Sequence, residues 1–203
     1  MTMLVRWHVP DLEARADRLR WLAFEVDDGG LLRFAGGAIV LVTTQGAGRE
    51  RLELVETEGP FPHVEPRDQP IPGHGNGLTR LVAVGWATVD LDRAAADAGV
   101  DAHGRTELAP DRVLGGRAVL LGAGPVVLLE PNTEARLAAA LARSGEGPAA
   151  IYLATDDGGI PPGTGPVTSG PFGRCAILEP GELRGPYLVA CDGRPVGSTT
   201  IAP

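Results

Sequence analysis

Residues 117–157 read RAVLLGAGPVVLLEPNTEARLAAALARSGEGPAAIYLATDD, and they decide the fold. Ala118 to Leu121 and Val126 to Leu129 are short apolar runs bounded by Gly and Pro, the pattern of two strands joined by a tight turn. Pro131 ends the second run, and Asn132 or Thr133 can cap a following helix. Leu137 and Leu141 then fall on one helix face, and Gly145 suits the left-handed position that closes it. A new apolar strand, Ala150 to Ala154, ends in Asp156-Asp157.

Working outward, the segment 1–57 carries the order strand, helix, strand, strand, strand. Met3 to Val9 alternates. Asp11 can cap a helix in which Leu12, Ala16, Leu19 and Leu22 recur at helical spacing. Phe24 to Val26, Leu31 to Phe34, Ala38 to Thr43 and Arg51 to Val55 read as strands, with turns at Gly29-Gly30, Gly36-Gly37 and Gly46 to Gly48. The segment 79–147 repeats the pattern: a strand from Thr79 to Thr88, a short helix from Leu91 to Ala98 capped by Asp90, a weak strand within 100–114, and the two strands above. The corners VPDLEA (9–14) and VDLDRA (89–94) mark the repeat. Between them, 58–78 holds five prolines and four glycines and reads as a connector. The segment 148–203 begins as a third module, but GGIPPGTGPVTSG (158–170) stands where its helix belongs and cannot be helical. Strands return at Arg174 to Leu178, Tyr187 to Cys191 and Ser198 to Ala202.

This order, with LLEP, a helix, GEGP and a strand ending in DD, resembles the vicinal oxygen chelate superfamily, which includes glyoxalase I, bleomycin-resistance proteins and extradiol dioxygenases. The resemblance implies an α+β fold in which repeated βαβββ modules form curved mixed sheets around a cleft. Either the first and second or the second and third modules would pair.

Composition narrows the function. The 203 residues are 43% hydrophobic and carry a formal charge of −8, and every basic residue is an arginine. An acidic chain without basic clusters is a poor partner for nucleic acid or anionic membranes. No apolar run approaches the roughly 20 residues a bilayer span needs. The N-terminus has no signal-peptide pattern, and Cys175 and Cys191 fit neither a disulfide framework nor a zinc spacing. The expectation is a cytoplasmic, bacterial protein with buried, reduced thiols.

The resemblance also implies where a divalent metal would sit. Carried over one by one, the ligand places fall on Leu4, Glu53, Ala83, Val127, Ala150 and either Val189 or Thr199. One carboxylate among these does not hold a catalytic cation, so no metal and no other cofactor is expected. His63, Glu65 and His74 in the connector have no spacing that fixes a geometry.

Strand alternation puts Leu4, Arg6 and His8 on one face and Val5, Trp7 and Val9 on the other. The second set suits the helix, which aims Arg6 and His8 at the cleft beside Arg51 and Glu53. Arg, His and Glu together can bind a carboxylate or move a proton; the alternative is a solvated face of ordinary salt bridges. Ala83, Gly85 and Ala87, with Ala150 and Ala154, leave room for a ligand against Tyr152, or else allow close packing. The leading expectation is a glyoxalase-like protein binding a small organic molecule in a metal-free cleft, with Arg6, Arg51, Ala83, Gly85 and Tyr152 as contacts. The alternative is an isomerase, lyase or cyclase using His8 and Glu53. Because the third module lacks its helix, an apolar sheet face needs a cover, from the same chain or from a homodimer partner.

Overall fold

The computed structural model describes residues 2–44, 50–57, 74–122, 124–132, 134–178 and 186–197. The fold is α+β, with two curved mixed sheets and three α-helices among these residues.

The first sheet is built from β1 (Thr2–Val9), β2 (Leu31–Phe34), β3 (Gly37–Thr43) and β4 (Arg51–Thr57), in the order β2-β3-β1-β4. Helix α1 (Leu12–Trp21) crosses between β1 and β2, and the Asp11 carboxylate accepts the Ala14 N–H at 2.9 Å to start it. Phe24 to Val26 is not a strand. The Phe24 N–H closes the end of α1 on the Leu19 carbonyl, and the Glu25 N–H donates to His74 Nδ1.

The second sheet has eight strands in the order β10-β11-β12-β9-β5-β8-β7-β6. They are β5 (Leu78–Ala87), β6 (Arg105–Asp111), β7 (Gly116–Leu121), β8 (Val126–Pro131), β9 (Gly147–Thr155), β10 (Thr168–Gly170), β11 (Gly173–Ile177) and β12 (Tyr187–Cys191). Each half has the same internal order. In one, β5 pairs with β8 in parallel, then come β7 and β6; in the other, β9 pairs with β12 in parallel, then β11 and β10. The halves join through antiparallel β5 and β9. The second and third segments therefore form the large sheet together. Helix α2 (Leu91–Asp97) starts at Asp90, whose carboxylate accepts the Arg93 N–H at 2.9 Å. No helix lies between β9 and β10. The expected strand at Ser198 to Ala202, the turn at Gly46 to Gly48, His63, Glu65 and Thr199 fall outside the described residues.

Helix α3 (Arg136–Ser144) begins later than expected, and Asn132 does not cap it. The Leu137 N–H instead donates to the Leu114 carbonyl at 2.9 Å, so a neighbouring loop satisfies the first turn. Gly145, at φ 74°, ends the helix as its sequence predicts.

The outer face of the large sheet has two covers. Leu91 and Ala95 of α2 pack with Val119, Leu128 and the partly buried Trp86 on one half. On the other half, Ile151, Leu153, Leu188 and Ala190 pack in one core with Val5, Trp7, Leu19 and Leu52 of the first sheet and α1. The first module thus stands where the missing third helix would lie. This corrects the ground for a homodimer: the apolar face that called for a partner is already covered within the chain. No helix among the described residues is long and apolar enough to cross a membrane.

Candidate functional site

The inner face of the large sheet is where the resemblance places the cleft. Ala83, Val127, Ala150 and Val189 lie there, all buried. Their described neighbours pack closely. A Cβ on Gly85 would stand 2.7 Å from Leu129 Cδ1 and 3.1 Å from both Ala150 Cβ and Tyr152 Cε2. Leu137 of α3 and Phe172 complete the layer, the Phe172 ring meeting Tyr152 edge-on at 5.0 Å. Ala83, Gly85 and Tyr152 are therefore buried core positions, with the small residues in close packing.

A buried polar pair braces this layer. Tyr152 donates its hydroxyl to Asp111, which also accepts the Val113 and Leu114 N–H groups at 2.8 Å each. Burial pushes the Asp111 carboxyl above its ordinary range and likewise raises the Tyr152 hydroxyl. With both carboxylate oxygens hydrogen-bonded, the pair fixes the loop after β6.

The residues expected on the first sheet do come together. Arg6 pairs with Glu53 and His8 with Arg51 across β1 and β4. His8 Nε2 and Glu53 Oε2 are 3.1 Å apart, and Arg6 Nη1 is 3.7 Å from the same oxygen. The His8 hydrogen bond, reinforced by the charges of Arg6 and Arg51, lowers the Glu53 pKa. Their surroundings are open: the Arg6 and Glu53 side chains are 44% and 49% exposed. This is the face opposite α1, with Val5, Trp7 and Val9 buried on the other side.

His74 is buried and structural. Its Nδ1 accepts the Glu25 N–H at 2.9 Å, which leaves Nε2 to donate to the Arg33 carbonyl at 3.1 Å. Burial lowers its pKa and keeps it neutral. Among the described residues no group of three His, Cys, Asp or Glu side chains could hold a metal ion.

A concavity of the right size for a ligand lies on the outer face instead. A groove of ≈ 690 Å³ runs along the seam between α2 and β4. Leu54, Trp86, Ala94, Val100, Val126 and Leu128 give it apolar walls. Arg93 closes one end, held by Glu146 at 2.5 and 2.6 Å and by Asp97 at 3.2 Å. Glu146 also accepts the Thr88 hydroxyl and the Val89 N–H, and these bonds hold its carboxyl at about 2. The guanidinium is neutralised and the carboxylate stays ionised at all ordinary pH. Sequence reasoning missed this groove. Its only linear signals were Trp86 on the helix side of β5 and the small residues of α2.

No family model matches the chain, and no curated protein matches it by sequence. Solved structures similar to parts of the chain have low TM-scores. Methylmalonyl-CoA epimerase from Mycobacterium tuberculosis is 17% identical over 63% of this chain and 95% of its own, with a TM-score of 0.43. Methylmalonyl-CoA epimerase from Streptomyces coelicolor is 25% identical over 56% of this chain and 98% of its own, with a TM-score of 0.41. A variant of 4-hydroxymandelate synthase from Streptomyces coelicolor is 13% identical over 98% of this chain and 71% of its own, with a TM-score of 0.34. Likenesses at this level assign no activity, and the fold rests on the strand order above.

Proposed function

We propose that this chain binds a small, uncharged and largely apolar organic molecule in the groove between α2 and β4, without a metal. The observation that carries the reading is the exchange of space between the two sheet faces. The inner face is filled by Leu129, Leu137, Tyr152 and Phe172, while the outer seam holds ≈ 690 Å³ between apolar walls. Ligand sites commonly have about 300–1,000 Å³, apolar linings and a few fixed polar groups. Trp86 supplies an aromatic wall, and the Arg93–Glu146 pair supplies the polar end. Because Arg93 is already paired with Glu146 and Asp97, the site offers no free cation to an anionic ligand. The positions that correspond to metal ligands on the large sheet carry Ala83, Val127, Ala150 and Val189, none of which ligates through its side chain.

Titration with an uncharged apolar dye such as N-phenyl-1-naphthylamine tests this. Saturable binding with energy transfer from tryptophan is expected, and Ala98→Trp, which fills the groove from an exposed position, weakens it about tenfold or more. Dye binding that is indifferent to Ala98→Trp sinks the site. A stoichiometric divalent ion in metal analysis of the purified protein removes the metal-free reading.

A second reading is acid–base chemistry at His8, favoured by its bond to Glu53 with Arg6 alongside. In it, Glu53 orients His8, and Arg6 and Arg51 receive an anionic group. A pH profile of any turnover that is unchanged in His8→Gln excludes it.

A further inference from the structure

Cys175 and Cys191 face one another across the antiparallel strands β11 and β12. The ladder around them sets their spacing. The Asp192 N–H donates to the Arg174 carbonyl at 3.1 Å, and the Leu178 N–H to the Leu188 carbonyl at 3.0 Å. Hydrogen-bonded and non-bonded pairs alternate along such a ladder, so the pair between Arg174–Asp192 and Ala176–Ala190 is non-bonded. At such a position the Cα atoms stand about 4.5 Å apart and the side chains lean together. Disulfides close over Cα separations of about 4.4–6.8 Å.

Both thiols are buried. Cys175 Sγ donates to the Gly173 carbonyl at 3.6 Å and Cys191 Sγ to the Leu153 carbonyl at 3.4 Å. Contact with Cys191 and burial push the Cys175 thiol far above its ordinary range, so the closed fold keeps it protonated and unreactive.

Cys175 lies in the inner-face core with Cys191, Tyr152 and Phe172, and Phe172 stands in the turn between β10 and β11. The sheet neighbour of Cys175 on the side away from Cys191 is β10, a strand of three residues. Thr168 is the register partner of Cys175, and a Cβ on Gly170 would lie 2.6 Å from the Cys175 sulfur. On its far side, β10 receives the Arg112 N–H on the Ser169 carbonyl at 3.2 Å. Thr168 Oγ1 is buried and has no hydrogen-bond partner among the described residues. An unanswered buried hydroxyl weakens the segment that carries it, and a short end strand is the kind of unit that opens locally while the rest stays folded.

We propose that Cys175 and Cys191 are a latent cross-strand disulfide, closed by a hydroperoxide when β10 opens. Opening lets Cys175 ionise. Its thiolate attacks one oxygen of hydrogen peroxide, giving a sulfenic acid and releasing water after proton transfer. The Cys191 thiolate then attacks that sulfur and displaces hydroxide, which leaves as a second water. Two thiols lose two electrons and two protons; one peroxide becomes two waters.

The full chain treated with hydrogen peroxide in native buffer, alkylated with N-ethylmaleimide and mapped by mass spectrometry tests this. The expected product has lost about 2 Da and both alkylation sites, with the two cysteine peptides linked. Cys191→Ser is expected to stop at a Cys175 sulfenic acid that dimedone traps. Thr168→Val replaces the unpartnered hydroxyl with a methyl group of similar shape and slows bond formation about fivefold or more. Oxygen added to separate cysteines, or a bond formed only in denaturant, overturns the disulfide. Bond formation in Thr168→Val at the wild-type rate overturns β10 as the route.

Discussion

On the inner face of the large sheet the cover is one interlocking layer, drawn from α3 and the loops after β6 and β10. On the outer face it is two separate pieces, α2 and the first module. The inner layer interdigitates: Leu137 presses on Gly116, where a Cβ would stand 2.6 Å from Leu137 Cδ2, and Leu129 lies over Gly85. The outer pieces abut, and the seam between Leu54 and α2 stays open. A sheet that closes one face by interdigitation and the other by juxtaposition keeps its free volume where the two independent covers meet. A ligand site then follows the joint between covers and not the face that the fold usually reserves for it.

The largest effect should come from breaking the interdigitated side. Leu137→Ala removes a fully buried side chain from a layer that cannot collapse around glycine backbone, and should destabilise by about 2–5 kcal/mol in urea unfolding. A loss under about 1 kcal/mol would mean the inner face is loosely filled after all.

Tyr152→Phe should cost about 1–3 kcal/mol, because the buried Asp111 carboxyl loses a donor. The same carboxyl gives a pH signature. Its pKa is raised in the fold, so between the ordinary carboxylate range and that raised value the native state holds a proton that the unfolded chain has released. Stability contributed here falls as pH rises through that window. The stability of wild type relative to Asp111→Asn should therefore increase as pH falls toward about 4. A relative stability that decreases on acidification would contradict the assignment.

On the outer side, Glu146 has the opposite sign. Its pKa is lowered from 4.5 to about 2, so its stabilisation is complete above 4.5 and disappears as pH falls to about 2. Glu146→Gln should lower the thermal midpoint less than Leu137→Ala and flatten the acid limb. An acid limb with the wild-type slope would show that Glu146 does not hold α2.

The smallest effect on stability, within about 0.5 kcal/mol, belongs to Ala98→Trp. It separates the two faces most sharply if it costs dye affinity without costing stability, since no inner-face substitution can do both.

Much of the framework was legible in the sequence. Asp11 and Asp90 announced two helices because a short carboxylate before an apolar periodic run satisfies the same orphan N–H in each. Alternation along β1 put Arg6 and His8 on one face, and the register confirms that they meet Arg51 and Glu53. What filled the inner face was not legible. Ala83, Gly85 and Ala150 look the same in a sequence whether a ligand or Tyr152 and Leu129 lie above them. Leu137 and Phe172 arrive there from outside the strands, through contacts that leave no spacing to read. The outer groove has the same origin, since Leu54 and Ala94 come from different modules.

Strand β4 pairs antiparallel with the edge of β1, on the side where β5 receives β9 in the large sheet. Modules that join through their first strands could be exchanged between copies of a chain, each lending a strand to the next. Here the slot beside β1 is taken by a strand tethered through the same chain, at an effective concentration on the order of millimolar. A second molecule at micromolar concentration competes for it at a disadvantage of about a thousandfold. Placing β4 there turns an open-ended pattern into a terminated one, and the charged side chains of Arg51 and Glu53 on β4 guard the new edge against further strand addition.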